Sequence, residues 1–262
     1  MICFEFVILY GVNVYRVLTD EPHIATRDLP YNDLDVRLTG VLHWDEAQDG
    51  PRPGILLIHG GAGLDGHARE QAHRYAQLGY AVLACDMYGD GVAGDRERVM
   101  ACVTALSDDP ALLVRRGQAG LTALSHCPEV GEEMAAVGFC FGGMAALALA
   151  RSGTSLAGAV SIHGSLATSR PAEPGAVAAK VLVCHGALDP HVTMDDVGAF
   201  TAEMTRVDAD WQLVVHGRAM HGFTHRHAVA GAMPGVAYDA LADERSFAAT
   251  RAFLAEAPAS QY

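Results

Sequence analysis

Long apolar runs, paired cysteines and basic clusters are all missing from this sequence. No stretch reaches the roughly 20 uninterrupted apolar residues of a membrane-spanning helix, so no membrane partner is expected. Six cysteines are present, Cys3, Cys85, Cys102, Cys127, Cys140 and Cys184. None forms a CxxC pair or a zinc-type spacing, which argues against a zinc module and against a disulfide framework. Cys85 and Cys184 end apolar runs, where a free thiol is a common small core residue. Unpaired thiols fit a reducing cytoplasm. Basic residues are scarce: 18 Lys and Arg stand against 31 Asp and Glu, a formal net charge of −13. Nucleic acid binding needs clustered Lys and Arg and is not expected. Aromatic residues make up only 7% of the chain, and both tryptophans, Trp44 and Trp211, read as packing residues. The opening MICFEFVILYG has no basic start and no small-residue cleavage site, and Glu5 interrupts it, so it does not read as a signal peptide. It reads as an added strand, or as sequence upstream of the true start.

What is present is an alternation of short apolar runs with amphipathic stretches, with no internal repeat. Half of the 262 residues are apolar, enough for a substantial core. Leu34 to Trp44 alternates like an outer strand. Gly54 to His59 is a continuous apolar run, as in a fully buried parallel strand. Asp65 to Leu78 reads as a helix stopped by Gly79, and Tyr80 to Cys85 as the next strand. Helices are expected near 95–106 and 110–125, a strand over Met134–Gly138, and a small-residue helix over Gly143–Arg151. Strands recur at 157–162, 180–185 and 211–216, and helices near 193–206 and 240–256. The expected fold class is α/β: a mostly parallel central sheet with helices on both faces. Residues 1–30 are an N-terminal extension or added strand, and 31–262 form a single domain. Right-handed crossovers place the strand-to-helix loops on one edge, where chemistry in open α/β sheets sits.

The sharpest signal is Gly138-Phe139-Cys140-Phe141-Gly142-Gly143, between an expected strand and an expected helix. It is the nucleophile-elbow pattern with Cys in the place of Ser. The chain must reverse within a few residues, so side chains two positions from the nucleophile would collide with it. Cys140 then stands at a helix N-terminus, which favours thiolate. A bare G-x-C-x-G is equally the mark of a glycine-rich turn around a structural Cys, so its surroundings decide. Asp189 follows the strand ending at Cys184, and His221 follows the strand ending at His216. The order Cys, Asp, His is the one expected of α/β-hydrolases. A free thiol with a pKa of about 8.5 is only a few per cent thiolate at pH 7, so it needs an imidazole to take its proton. The imidazole in turn needs a carboxylate to fix its tautomer. Asp189 before Pro190 is also an ordinary turn residue, and His221 competes with the other histidines of a total of 13. The oxyanion donors are expected to be the backbone N–H groups of Phe141 and of Gly61 in His59-Gly60-Gly61-Ala62-Gly63, with Gly60 or Ala62 as alternatives to Gly61. That loop is not a phosphate cradle, because no GK[ST] follows it.

Together these residues resemble the dienelactone hydrolase family over about Tyr31 to Phe253. Further points of resemblance are Gly79-Tyr80, Asp86-Met87-Tyr88-Gly89-Asp90-Gly91, Cys184-His185-Gly186 and Gly235-Val236-Ala237-Tyr238. The resemblance implies an α/β-hydrolase fold, a triad at Cys140, Asp189 and His221, and cofactor-free hydrolysis of a cyclic enol ester. Two departures stand out. Family members usually carry Glu where Gly60 stands, and that Glu helps deprotonate the thiol when substrate arrives. The arginines that grip the substrate carboxylate fall near Asp90 and His225, and neither is Arg. A general hydrolase of small esters or lactones is therefore the expectation, with a catalytically silent ligand binder or thiol redox sensor as the alternative. The candidate substrate contacts are Gly60, Tyr88, Phe223 and Arg226. Tyr88 either lines the pocket mouth or sits in a surface turn. Arg226 either replaces the missing arginine or is a solvated loop cation. Glu70 is open to two readings, a remote base or part of a solvated helix face. The run His221, His225, His227 suggests metal, but Gly222 argues against a helix that presents two of them together, so no metal and no cofactor are expected. Thr224 to Asp239 is long for a connection and reads as a cap over the site. Ser161 and Ser165 lack an elbow. The sequence is silent on oligomeric state.

Overall fold

In a computed structural model, the described residues are 22–89, 91–228, 231 and 233–256, with 4–9 and 12–17 described by their backbone alone. The strands are β1 Phe4–Leu9, β2 Val12–Val17, β3 Ile24–Asp33, β4 Val36–Asp45, β5 Arg52–Ile58, β6 Ala81–Cys85, β7 Val130–Phe139, β8 Gly158–Ile162, β9 Lys180–Gly186 and β10 Trp211–His216. The helices are α1 Gly66–Ala76, α2 Arg96–Asp108, α3 Pro110–Ser125, α4 Phe141–Arg151, α5 Met194–Arg206 and α6 Ala240–Glu256. β1 and β2 pair antiparallel in a sheet of their own, and the other eight form one sheet ordered β10-β9-β8-β7-β5-β6-β4-β3. From β10 to β6 every neighbouring pair is parallel, while β4 and β3 join antiparallel at one edge.

The apolar runs are continuous because both faces of the sheet are covered. Leu56 and Ile58 of β5 enter one core with Leu113 and Leu121 of α3 and Ala145 and Leu149 of α4. Their neighbours Ile55 and Leu57 point the other way, to Ala72 and Tyr75 of α1 and Phe253 of α6. α1, α2, α3 and α5 begin where the sequence supplies a side-chain cap, whereas α4 starts after Cys140 without one. Asp65 and Asp95 accept from the N–H groups of Ala68 and Arg98, and Thr193 and Asp196 form a reciprocal capping box. Such caps each stabilise a helix by about 1 kcal/mol. β3 tolerates Pro30 because it lies at the sheet edge, where a missing N–H costs no ladder bond. Leu34, expected inside a strand, instead takes a left-handed turn (φ 51°) between β3 and β4. No helix of the described residues is long and apolar enough to cross a membrane.

The parallel strands end together on one edge. The loops after β5, β6, β7, β8, β9 and β10 all open there, and the expected site residues lie in them.

Candidate active site

Cys140 joins β7 directly to α4, which starts at Phe141, two residues before the expected position. Its backbone is forced into φ 51°, ψ −114°. The flanking glycines are obligatory for steric reasons. A Cβ at Gly138 would lie 1.9 Å from the carbonyl oxygen of Gly142, and one at Gly142 would lie 2.1 Å from that of Ile58. No L side chain fits either gap. The turn is tied to the next strand by the Cys140 N–H, which donates to the Ile162 carbonyl at 3.0 Å.

The three residues expected to act together meet at this edge. His221 Nε2 lies 3.0 Å from Cys140 Sγ, and His221 Nδ1 lies 2.8 Å from Asp189 Oδ2. The Asp189 side chain is fully buried, and its other oxygen accepts from the N–H groups of His191 (2.8 Å) and Val192 (3.1 Å). The loop carrying His221 is fixed by a bridge to the segment at Val236: His221 N–H donates to Gly235 O, and Ala237 N–H to His221 O.

Electrostatics follow from these contacts. Burial works to raise the Cys140 pKa, but the hydrogen bond and charge of His221, with the N–H groups of Phe141 and Gly61, outweigh it and leave the thiol below its ordinary value. Burial works to lower the His221 pKa, but bonding to Asp189 and Cys140 pushes it up to about 10. Burial works to raise Asp189, and the His221 bond and charge with two backbone N–H groups bring it below the usual carboxylate range. Each contact favours the charged form of its group, a thiolate beside an imidazolium backed by a carboxylate, relative to the same groups standing alone.

Phe141 and Gly61 thus both aim their N–H groups at the sulfur. The Gly61 loop is clamped from beneath. His59 is fully buried and its Nε2 accepts from the Met87 N–H (3.2 Å), so its Nδ1–H donates to the Gly60 carbonyl (2.7 Å). Tyr88 donates its hydroxyl to the Gly61 carbonyl at 3.1 Å.

A cavity of about 740 Å³ opens above Cys140, lined in part by Gly61, Ala62, His191, His221 and His225. None of the four expected substrate contacts is among its lining residues. Tyr88 is buried beneath the loop, edge-on to His59, so it is neither a mouth residue nor a surface-turn tyrosine. Phe223 is fully buried between His163 and His216. Arg226 turns to Glu70 (3.2 Å) and Asp243 (3.8 Å). Gly60 lies beside the sulfur: a Cβ there would stand 3.8 Å from Cys140 Cβ and 3.6 Å from His225 Nε2. Among the described residues no cluster suited to a metal ion occurs.

A model of the dienelactone hydrolase family matches residues 38–257. The chain belongs to the dienelactone hydrolase family. A solved relative named m3DLH is 41% identical, covers 89% of this chain and 98% of its own, and superposes with a TM-score of 0.83. A dienelactone hydrolase-like promiscuous phosphotriesterase from metagenomic libraries is 40% identical with the same coverage and a TM-score of 0.84. An uncharacterized protein of Caenorhabditis elegans is 38% identical over 157 residues, 58% of this chain and 98% of its own length.

In this member of the family several residues at the site escape sequence reasoning. The Thr224 hydroxyl lies 3.0 Å from His67 Nε2 and 2.9 Å from His163 Nε2. His163 is held at φ 43° at the end of β8, with its ring edge-on to His221 at 5.5 Å. His225 stacks on His67 at 3.8 Å. Burial lowers the pKa of all three histidines, that of His67 to about 3. The triad imidazole is therefore backed by uncharged rings. A histidine directly after a strand was the one available signal for His163. Nothing in the spacing pointed to His67 or Thr224.

Proposed function

We propose that this hydrolase cleaves small esters or lactones without a cofactor, through Cys140 as nucleophile, His221 as general base and acid, and Asp189 as the group that orients His221. The observation that carries this reading is the unbroken contact chain from Sγ through the imidazole to the carboxylate, at the floor of a cavity large enough for a small substrate. The thiolate adds to the carbonyl carbon, and the N–H groups of Phe141 and Gly61 receive the oxyanion. Each such donor is worth on the order of 3 kcal/mol in the transition state. As the C–O bond breaks, His221 gives its proton to the leaving alkoxide, or to the ring-opened oxygen of a lactone. Water then attacks the thioester while His221 takes a proton from it, and the thiolate departs. Gly60 supplies no carboxylate, so the thiol depends on His221 and the helix N-terminus.

The described cysteines are free thiols, which suits a cytoplasmic enzyme. The test is turnover of p-nitrophenyl acetate and a set of small lactones by wild type, Cys140→Ala and Asp189→Asn. Paraoxon belongs in the same assay, given the phosphotriesterase named above. Wild-type turnover that vanishes in Cys140→Ala is the expected result. Comparable activity in Cys140→Ala removes the thiol mechanism. Absent turnover with rapid iodoacetamide labelling of Cys140 favours a thiol sensor.

A further inference from the structure

The cavity above Cys140 has apolar walls and a soft mouth. Val99, Met100 and Val103 of α2 line it together with Ala62, Met233 and Val236. Met100 is 54% and Met233 62% exposed. Large apolar side chains left in water around a cavity mark a place that an apolar ligand covers. Methionine, unbranched and polarizable, adapts its shape to such ligands.

Apart from the Cys140–His221 pair at its floor, charge is missing from the same walls. No Lys, Arg, Asp or Glu is among the described residues that line the cavity. Arg226 is engaged with Glu70 and Asp243, and Arg98 with the Gly91 carbonyl. The polar lining groups are imidazoles, and burial holds His225 toward its neutral form. A substrate carboxylate placed here would lose its water and gain no guanidinium. The net charge of −13 opposes its approach from a distance as well.

Building on the thiol mechanism above, we infer that the enzyme selects neutral esters or lactones bearing an apolar chain of medium length and rejects those bearing a carboxylate. Met100, Val103 and Met233 set the preference.

The experiment compares p-nitrophenyl acetate, butyrate and hexanoate with the p-nitrophenyl monoester of adipic acid, which matches hexanoate in length and ends in a carboxylate. Each added methylene buried in the cavity raises kcat/KM by about four-fold. Hexanoate exceeds the adipate monoester by roughly 100-fold, since a desolvated carboxylate without a partner is strongly disfavoured. Met100→Arg narrows that gap by about ten-fold, the size of a modest charge pairing. A second measurement is independent of turnover: protection of Cys140 from iodoacetamide by octan-2-one and by octanoate. The ketone is expected to protect at a concentration about ten-fold lower, because the carboxylate must be desolvated to enter. An adipate monoester cleaved as fast as hexanoate, or octanoate protecting as well as the ketone, overturns the inference. If no ester turns over, the thiol mechanism fails, and the protection ratio alone decides what the cavity prefers.

Discussion

His43 isolates the cost of a buried imidazole far from the reacting atoms. It lies on β4, is buried, and neither ring nitrogen finds a hydrogen-bond partner among the described residues. Burial, with the charges of His73 and Arg69 on α1, pushes its pKa down to about 4. In the unfolded chain the same group titrates at about 6.5. Above pH 6.5 both states are neutral at this position and nothing is gained or lost. Below it the unfolded chain takes up a proton that the native state refuses, so native stability falls by about 1.4 kcal/mol per pH unit. From pH 6.5 to 5.0 the loss is about 2 kcal/mol, and it levels off once the pH passes the folded value. His43→Leu removes the titration and leaves no polar atom unbonded. Urea unfolding of both proteins at pH 7.5 and 5.0 measures the difference. The variant is expected to match or exceed wild type at pH 7.5 and to gain about 2 kcal/mol on it at pH 5.0. A variant that loses as much stability as wild type over that interval refutes the reasoning.

Four further variants test the site. Gly142→Ala places a Cβ 2.1 Å from a backbone oxygen and is expected to lose at least about 3 kcal/mol in thermal unfolding. Gly61→Ala, with nothing within 4 Å of its Cβ, keeps its melting temperature. Asp189→Asn removes the partner that holds the His221 proton, so kcat falls by roughly 10³–10⁴-fold. Its Cys140 also alkylates more slowly, because the His221 hydrogen bond and charge that hold the thiol below its ordinary pKa are weakened. Gly60→Glu meets only ordinary contacts at Cβ and is expected to fold. With no substrate bound, a carboxylate beside the sulfur opposes thiolate by like charge, so iodoacetamide labelling of the free enzyme at pH 7 slows several-fold. Unchanged labelling counts against the assigned electrostatics.

Periodicity and motif reached the sheet and the trio at its edge because both leave local marks. Continuous apolar runs record coverage on two faces, as at Ile55–Ile58, and the elbow glycines record steric gaps that admit no Cβ. The outer strand β3 was less legible: Pro30 breaks the pattern, and only its place at the edge makes it harmless. Substrate contacts were the weakest reading. Arg226 carries the right charge, but Glu70 and Asp243 claim it, and those partners lie 156 and 17 positions away. Tyr88 reads as a mouth or surface-turn residue, and its place under the Gly61 loop escapes because its hydroxyl partner is distant in the chain. The bridge from His67 through Thr224 to His163 spans 157 and 61 residues, and no local period encodes it.

The backbone bridge between His221 and the segment at Val236 has one more consequence. Val236 belongs to the cavity wall, so the wall and the base travel as one body. An occupant too bulky for the space would drag the imidazole off the sulfur as it wedged itself in. Misfitting molecules would then bind and wait, and discrimination would show in turnover more than in affinity.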